Sequence, residues 1–169
     1  MTTLQNCLDY LHTNGIRFAH TTHSPAYTAE EVALAEHMPF QRMSKTVVLR
    51  DKDGYVLAVV PADSHVDVEI LRTVIGVPNL FVARESDLCL LFPNAEVGAM
   101  PPLGSLFGLP VYLDREVANR EFIAFNAGTH RDVIHMRVAD FRQLVQPVMG
   151  DFSRRDYQLS GRLAGVGFA

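Results

Sequence analysis

"TVVLRDKDGYVLAVVP" (residues 46–61) sets two β-branched runs on either side of an Asp- and Gly-bearing turn. Val and Ile fit a pleated, half-buried surface, and a short Asp/Gly turn between such runs predicts a β-hairpin. The second run, YVLAVVP, is apolar almost without interruption, as expected of a strand covered on both faces.

Helices are predicted on both sides of this hairpin. Upstream, Leu4, Leu8 and Leu11 recur at helical spacing with Cys7 on the same face, and Gly15 supplies the stop. Ile16 to His20 reads as extended. Thr28 with Glu31 three residues on forms a capping box that opens a helix through about Glu36, ending before Pro39. Downstream, Val68, Leu71, Val74 and Ile75 define a helix ending at Gly76. LFVA (80–83) is a short strand, and ESDLCLLF (85–92) is a helix ending at Pro93. PVYLD (110–114), EFIAFNAG (121–128) and DVIHM (132–136) read as strands, and a last helix runs from about Ala139 to Val145. Several connections are too short for crossovers, so the sheet should be mixed or mostly antiparallel and the class α+β.

The composition bounds the function. A chain of 169 residues fits one compact domain, here 1–150, and its 48% hydrophobic and 20% charged content is that of an ordinary globular protein. No window approaches the ~20 apolar residues of a membrane span. MTTLQNCLDYLHTNG lacks the basic start and apolar centre of a secretory signal, so the expected location is the cytoplasm. A net charge of -4 argues against a general nucleic-acid-coating protein but permits a local basic site. Cys7 and Cys89, both on predicted helices, read as core. From Gly150 onward periodicity is lost, and 151–169 reads as a loosely packed tail.

Four features could carry chemistry. His20 and His23 in HTTH, with His12 and His37 near them in sequence, raise zinc; spacing of three at a strand end without a third ligand favours surface or capping histidines, and no metal or cofactor is expected. Lys45, at the mouth of the hairpin, is ordinarily a solvated strand-end charge, but beside a Gly-rich loop it can hold a phosphate or carboxylate as a point charge. FNAGTHRDV (125–133) ends a strand with Asn126, Thr129 and His130 around Gly128; such a turn either satisfies its own backbone or converges on a ligand. VGAMPPLG (97–104) has no reactive side chain. Its glycines and paired prolines stiffen a backbone that can serve as an oxyanion-type site.

Taken in order, SKTVVL with its hairpin, GAMPPLG, PVYLD and FNAGTH resemble the YbaK and prolyl-tRNA-synthetase-associated editing-domain family, from about Arg17 to about Pro147. The resemblance implies a curved, barrel-like mixed sheet wrapped by helices. It also implies hydrolysis of the ester joining a wrong amino acid to tRNA, by free-standing proteins or by insertions in prolyl-tRNA synthetases. On this chain it implies Lys45, Gly98 and His130 as catalytic positions. Ser44, Thr46, Ala99, Met100, Pro101, Pro102, Asn126, Gly128 and Thr129 are implied as substrate-binding ones. The lysine would hold the tRNA 3′ end while the loop backbone places the aminoacyl group and its water. GAMPPLG differs from the glycine- and serine-rich loop of the cysteine-specific branch, which points to small residues, Ala before Ser, Thr or 2-aminobutyrate. The implied partners are the acceptor end of aminoacyl-tRNA and a prolyl-tRNA synthetase, with the chain a monomer or weak homodimer. Outside the resemblance, Arg154, Arg155 and Arg162 of the 151–169 tail are open to two readings, contact with tRNA or with nothing. The alternative is a non-catalytic tRNA- or synthetase-binding module of the same fold.

Overall fold

The computed structural model describes residues 1–22, 28 and 42–155. The chain opens with helix α1 (Thr3–Thr13) and strand β1 (Phe18–Thr22). The hairpin is β2 (Ser44–Arg50) and β3 (Tyr55–Pro61), followed by β4 (Ser64–Val66), α2 (Val68–Ile75), β5 (Phe81–Val82) and α3 (Glu85–Leu91). Then come α4 (Gly104–Phe107), β6 (Val111–Asp114), α5 (Arg115–Ala118), β7 (Phe122–Asn126), β8 (Asp132–Arg137), α6 (Val138–Val145), β9 (Val148–Gly150) and β10 (Ser153–Arg155). The helix expected from Thr28 to Glu36 lies outside the described residues, Thr28 excepted.

The hairpin is the spine of the fold. β2 and β3 pair antiparallel from Ser44 opposite Pro61 to Arg50 opposite Tyr55. A five-stranded sheet of order β5-β2-β3-β6-β9 grows from them, with β3–β6 and β6–β9 parallel. A three-stranded antiparallel sheet, β1-β8-β7, lies beside it, and a parallel bridge between Met43 and Ala124 joins the two. The sheet is therefore mixed and mostly antiparallel, as the short connections required.

Strand alternation explains the unbroken apolar run of β3. Leu57 and Val59 face one cluster, shared with Phe125, Ile134, Phe141 and Leu103, while Val56, Ala58 and Val60 face a second, shared with Leu71, Leu80 and Phe152. Both faces are covered, so no polar alternation is needed. α1 belongs to the first cluster through the buried Cys7 and Leu11, and Thr2 and Gln5 close a capping box at its start. α2 lays Leu71 on the second.

Two expectations are corrected. Cys7 is buried, and burial pushes its thiol up to about 12, but Cys89 is exposed because the short α3 turns it to solvent. The supposed tail packs onto the fold at its start: β10 pairs antiparallel with β4, and Phe152 is fully buried. Its anchor is Asp114, itself 3% exposed. Asp114 accepts the Glu116 amide on Oδ1 at 3.0 Å and the Phe152 and Ser153 amides on Oδ2, each at 2.9 Å. Asp114→Ala strands these donors, and a buried unsatisfied donor costs roughly 1–3 kcal/mol. The variant should lose at least about 2 kcal/mol in chemical denaturation; an unchanged midpoint would show that the anchor is dispensable.

Candidate active site

The site gathers where β7 ends. Helix α3 leads through Pro93 into the loop 94–103, and the β7–β8 turn, 127–131, is stitched to it by backbone. Glu96 N–H donates to Gly128 O at 2.9 Å, Gly128 N–H to Ala99 O at 2.8 Å, and Ala99 N–H to Glu96 O at 3.0 Å. Gly128 has φ +92° and lies so close to α1 that an added Cβ would stand 3.0 Å from Thr3 Cβ. Thr3 in turn donates through Oγ1 to Pro93 O at 2.9 Å. Nothing in the local sequence marks Thr3, whose partner is 90 residues away.

His130 orients one peptide group. Its ring, 4% exposed, lies with Nε2 2.8 Å from Val97 O, and because a carbonyl only accepts, Nε2–H is the donor. In a trans peptide the C=O and the following N–H point in opposite directions. Holding the Val97 carbonyl toward His130 therefore turns the Gly98 N–H away from the ring, at an exposed residue. Gly98 has φ +87°, and a Cβ there would meet His130 Cε1 at 3.3 Å. Neither the Gly98 nor the Met100 N–H has a partner among the described residues. Ala99, Met100, Pro101 and Pro102 are buried, so the loop is rooted in the core; Met100 sits in the first cluster.

Lys45 reaches this region by register. Met43 and Ala124 are bridged in parallel and share a face; two residues further on each strand, the same alternation puts Lys45 with Asn126. The Lys45 ammonium has no ion pair or hydrogen bond among the described residues, and Asn126 Oδ1 is buried without a hydrogen-bond partner. Ser44 and Thr46 point to the opposite face. Ser44 Oγ donates to Ala124 O at 3.0 Å and so ties β2 to β7, while Thr46 Oγ1 is buried without a partner.

The Thr129 hydroxyl is occupied within its own turn. The residue was expected to converge on a ligand with Asn126 and His130, but its hydroxyl donates to Asp132 Oδ2 and accepts from the Arg131 and Asp132 amides. One proton and two lone pairs are then used, and Thr129 serves the turn. Asp132, unmarked in the sequence reading, is the hub. Its Oδ1 also binds His20 Nε2 at 2.7 Å and Thr22 Oγ1 at 3.2 Å. His20 is thus a partner of a carboxylate; His23 and His37 lie outside the described residues. A buried carboxylate three residues after a turn threonine was the available signal.

Burial pushes the Asp132 carboxyl up, yet hydrogen bonds from Thr129, His20 and Thr22 outweigh it and hold it below the ordinary value. A group lowered on folding stabilises the fold above its unfolded value, about 3.9 for Asp, and loses that contribution as pH falls through the lowered folded value. Acidification below about pH 4 should therefore loosen the turn. Thermal melts against pH should show a shallower acid decline for Asp132→Asn; parallel profiles would remove Asp132 from the account.

The mixed sheet thus carries two groups open to a ligand, the peptide N–H of the exposed Gly98 and, on the face of Asn126, a lysine with no ion pair among the described residues. A family model, the aminoacyl-tRNA editing domain, matches residues 23–144, and the chain belongs to that family, an aminoacyl-tRNA hydrolase by class. The multifunctional Ser/Thr-tRNA deacylase ProXp-y of Escherichia coli strain K12 is 27% identical over 157 residues, 90% of this chain and 93% of that protein. Proline–tRNA ligase of Thermosipho africanus is 30% identical over 78 residues, 46% of this chain and only 14% of the ligase. Among solved structures, that of a proposed trans-editing enzyme for prolyl tRNA synthetase superposes with a TM-score of 0.78 at 22% identity, covering 91% of this chain and 98% of the other. At that identity it speaks for the fold. No helix of the described residues is long and apolar enough to cross a membrane.

Proposed function

We propose that this chain is a cytoplasmic trans-editing deacylase that hydrolyses the ester of tRNA mischarged with a small amino acid. Alanine comes first, then serine and threonine, on tRNA(Pro) or a related tRNA. The observation that carries the reading is the Val97–Gly98 peptide, whose carbonyl is held by His130 and whose N–H is left to donate.

The chemistry needs little more. An aminoacyl ester is already activated by its α-ammonium and neighbouring ribose hydroxyl. When water adds to the carbonyl carbon, the oxygen gains charge, and an N–H fixed in advance stabilises it without reorganising. Lys45 holds the tRNA end as a point charge, with the Asn126 amide beside it. His130 acts as a positioning residue through Val97. The tetrahedral intermediate collapses by expelling the ribose oxygen, which takes up the proton that the attacking water gives up, and the free amino acid and tRNA leave. One methylene is worth only about 1–3 kcal/mol in a pocket, so a second site that admits small residues and excludes proline supplies discrimination that a synthetase pocket lacks. The name of the Escherichia coli relative, a Ser/Thr-tRNA deacylase, supports the substrate class.

The test offers purified protein Ala-, Ser-, Thr- and Cys-charged tRNA. Release of Ala, and more slowly of Ser or Thr, above the spontaneous rate is expected, with Cys-tRNA spared. Tight binding of every charged tRNA with its ester intact would replace the proposal by a non-catalytic binding module.

A further inference from the structure

The face that carries Lys45 and Asn126 does not stop at the site. Alternation along β7 puts Phe122, Ala124 and Asn126 on one side, and pairing with β8 adds Arg137 opposite Phe122 and His135 opposite Ala124. From Phe122 to Asn126 is about 13 Å at ~3.3 Å per residue. This is the reach of a dinucleotide and longer than an aminoacyl ester. A cleft of about 480 Å³ lies along the Phe122–Ala124 end of this stretch, with Arg42, Arg120, Glu121 and His135 in its lining.

The arginines of this region differ in what they are bound to. Arg115, Arg154 and Arg155 all end on carboxylates, and Arg154 and Arg155 are thereby taken up by Asp67 and by Asp63 and Glu116. Arg162 lies outside the described residues. By contrast, Arg42 is exposed and has no ion pair or hydrogen bond among the described residues. Arg120, half-buried in the lining, makes one bond, from Nη1 to Met43 O at 3.3 Å, next to the strand that carries Lys45. Glu121 is the single carboxylate in the lining among the described residues. Phe122 is 50% exposed at the start of its strand, so its ring is open to a stacking partner.

A free guanidinium, a second with donors to spare and an exposed aromatic ring are what single-stranded nucleic acid recognises: cations track the phosphates and a base stacks on the ring. We propose that this cleft is the track for the single-stranded 3′ end of tRNA, with Arg42 and Arg120 on its phosphates and Phe122 under a base, leading the terminal ribose to Lys45. The assignment rests on the deacylase reading for its substrate, but its test does not depend on turnover.

The probes are uncharged tRNA and a short single-stranded oligonucleotide of its 3′ sequence, with affinity read by fluorescence anisotropy over a range of salt. Arg42→Gln should weaken both and lower the slope of log affinity against log salt by about 1. Phe122→Ala should weaken both by about tenfold and leave the salt slope alone. Both side chains are exposed, so the variants should fold even if Arg120→Gln does not. Wild-type affinity and slope in both variants would overturn the track, as would a loss confined to tRNA and absent from the oligonucleotide. Hydrolysis of 3′-aminoacyl-adenosine, which has the ester but no phosphodiester, separates the two claims. Wild-type turnover of that ester with no effect of the variants on tRNA sinks the track alone. Normal binding losses without turnover sink the deacylase alone.

Discussion

Lys45→Ala should lower kcat/KM for deacylation by about 100-fold while leaving the fold intact, since a hydrogen bond to a charged group is worth about 1.5–3 kcal/mol. The two halves of this result come from one observation. The ammonium is neither paired nor hydrogen-bonded among the described residues, so its removal deprives the protein of nothing it uses to fold. Surface substitutions of that kind typically stay within about 0.5 kcal/mol of wild type. A strand-end lysine kept on the face of Asn126 and left without a carboxylate is available to a ligand's phosphate. Thermal melts and single-turnover hydrolysis of charged tRNA check the pair of outcomes. A large drop in melting temperature would make Lys45 structural, and full activity would move the site elsewhere.

Gly98→Ala should be nearly as damaging to activity, by a different route. The residue sits at φ +87°, where an L side chain is strained by roughly 1–2 kcal/mol, and the new Cβ would stand 3.3 Å from the His130 ring. Relief comes from rotating the Val97–Gly98 peptide or from moving the ring, and either breaks the Nε2–H to Val97 O bond that aims the N–H. Loss of one preorganised oxyanion donor costs about 10²–10³ in kcat. Activity should therefore fall by about 100-fold, with stability reduced by only about 1–2 kcal/mol. If stability fell and kcat held, the Gly98 N–H would not be a donor to the reaction.

How much of this the sequence revealed depended on whether the cause was local. The hairpin of 46–61 was legible because β-branched runs and an Asp/Gly turn act within a few residues, and the helix ending at Gly76 for the same reason. Three-residue strands β4, β9 and β10 were not, since too few residues show a period and their pairing partners are distant. Phe152 illustrates the point: its neighbours Arg154 and Arg155 gave it the look of a tail, while Asp114 fixes it from 38 residues away. At the candidate site, Lys45, Gly98 and His130 are proposals that rest on ordered motifs. What bonds to what there was not legible. The face shared by Lys45 and Asn126 depends on a bridge between Met43 and Ala124, and Thr129 turned out to serve Asp132, because a threonine in a tight turn satisfies its own backbone first.

The sharpest test of a small-residue sieve built on backbone is a direct comparison of Ala-tRNA(Pro) with Pro-tRNA(Pro) under single-turnover conditions with enzyme in excess. Alanine should be released well above the spontaneous rate while prolyl-tRNA decays at the spontaneous rate. Equal release from both, or release from neither, would contradict the account.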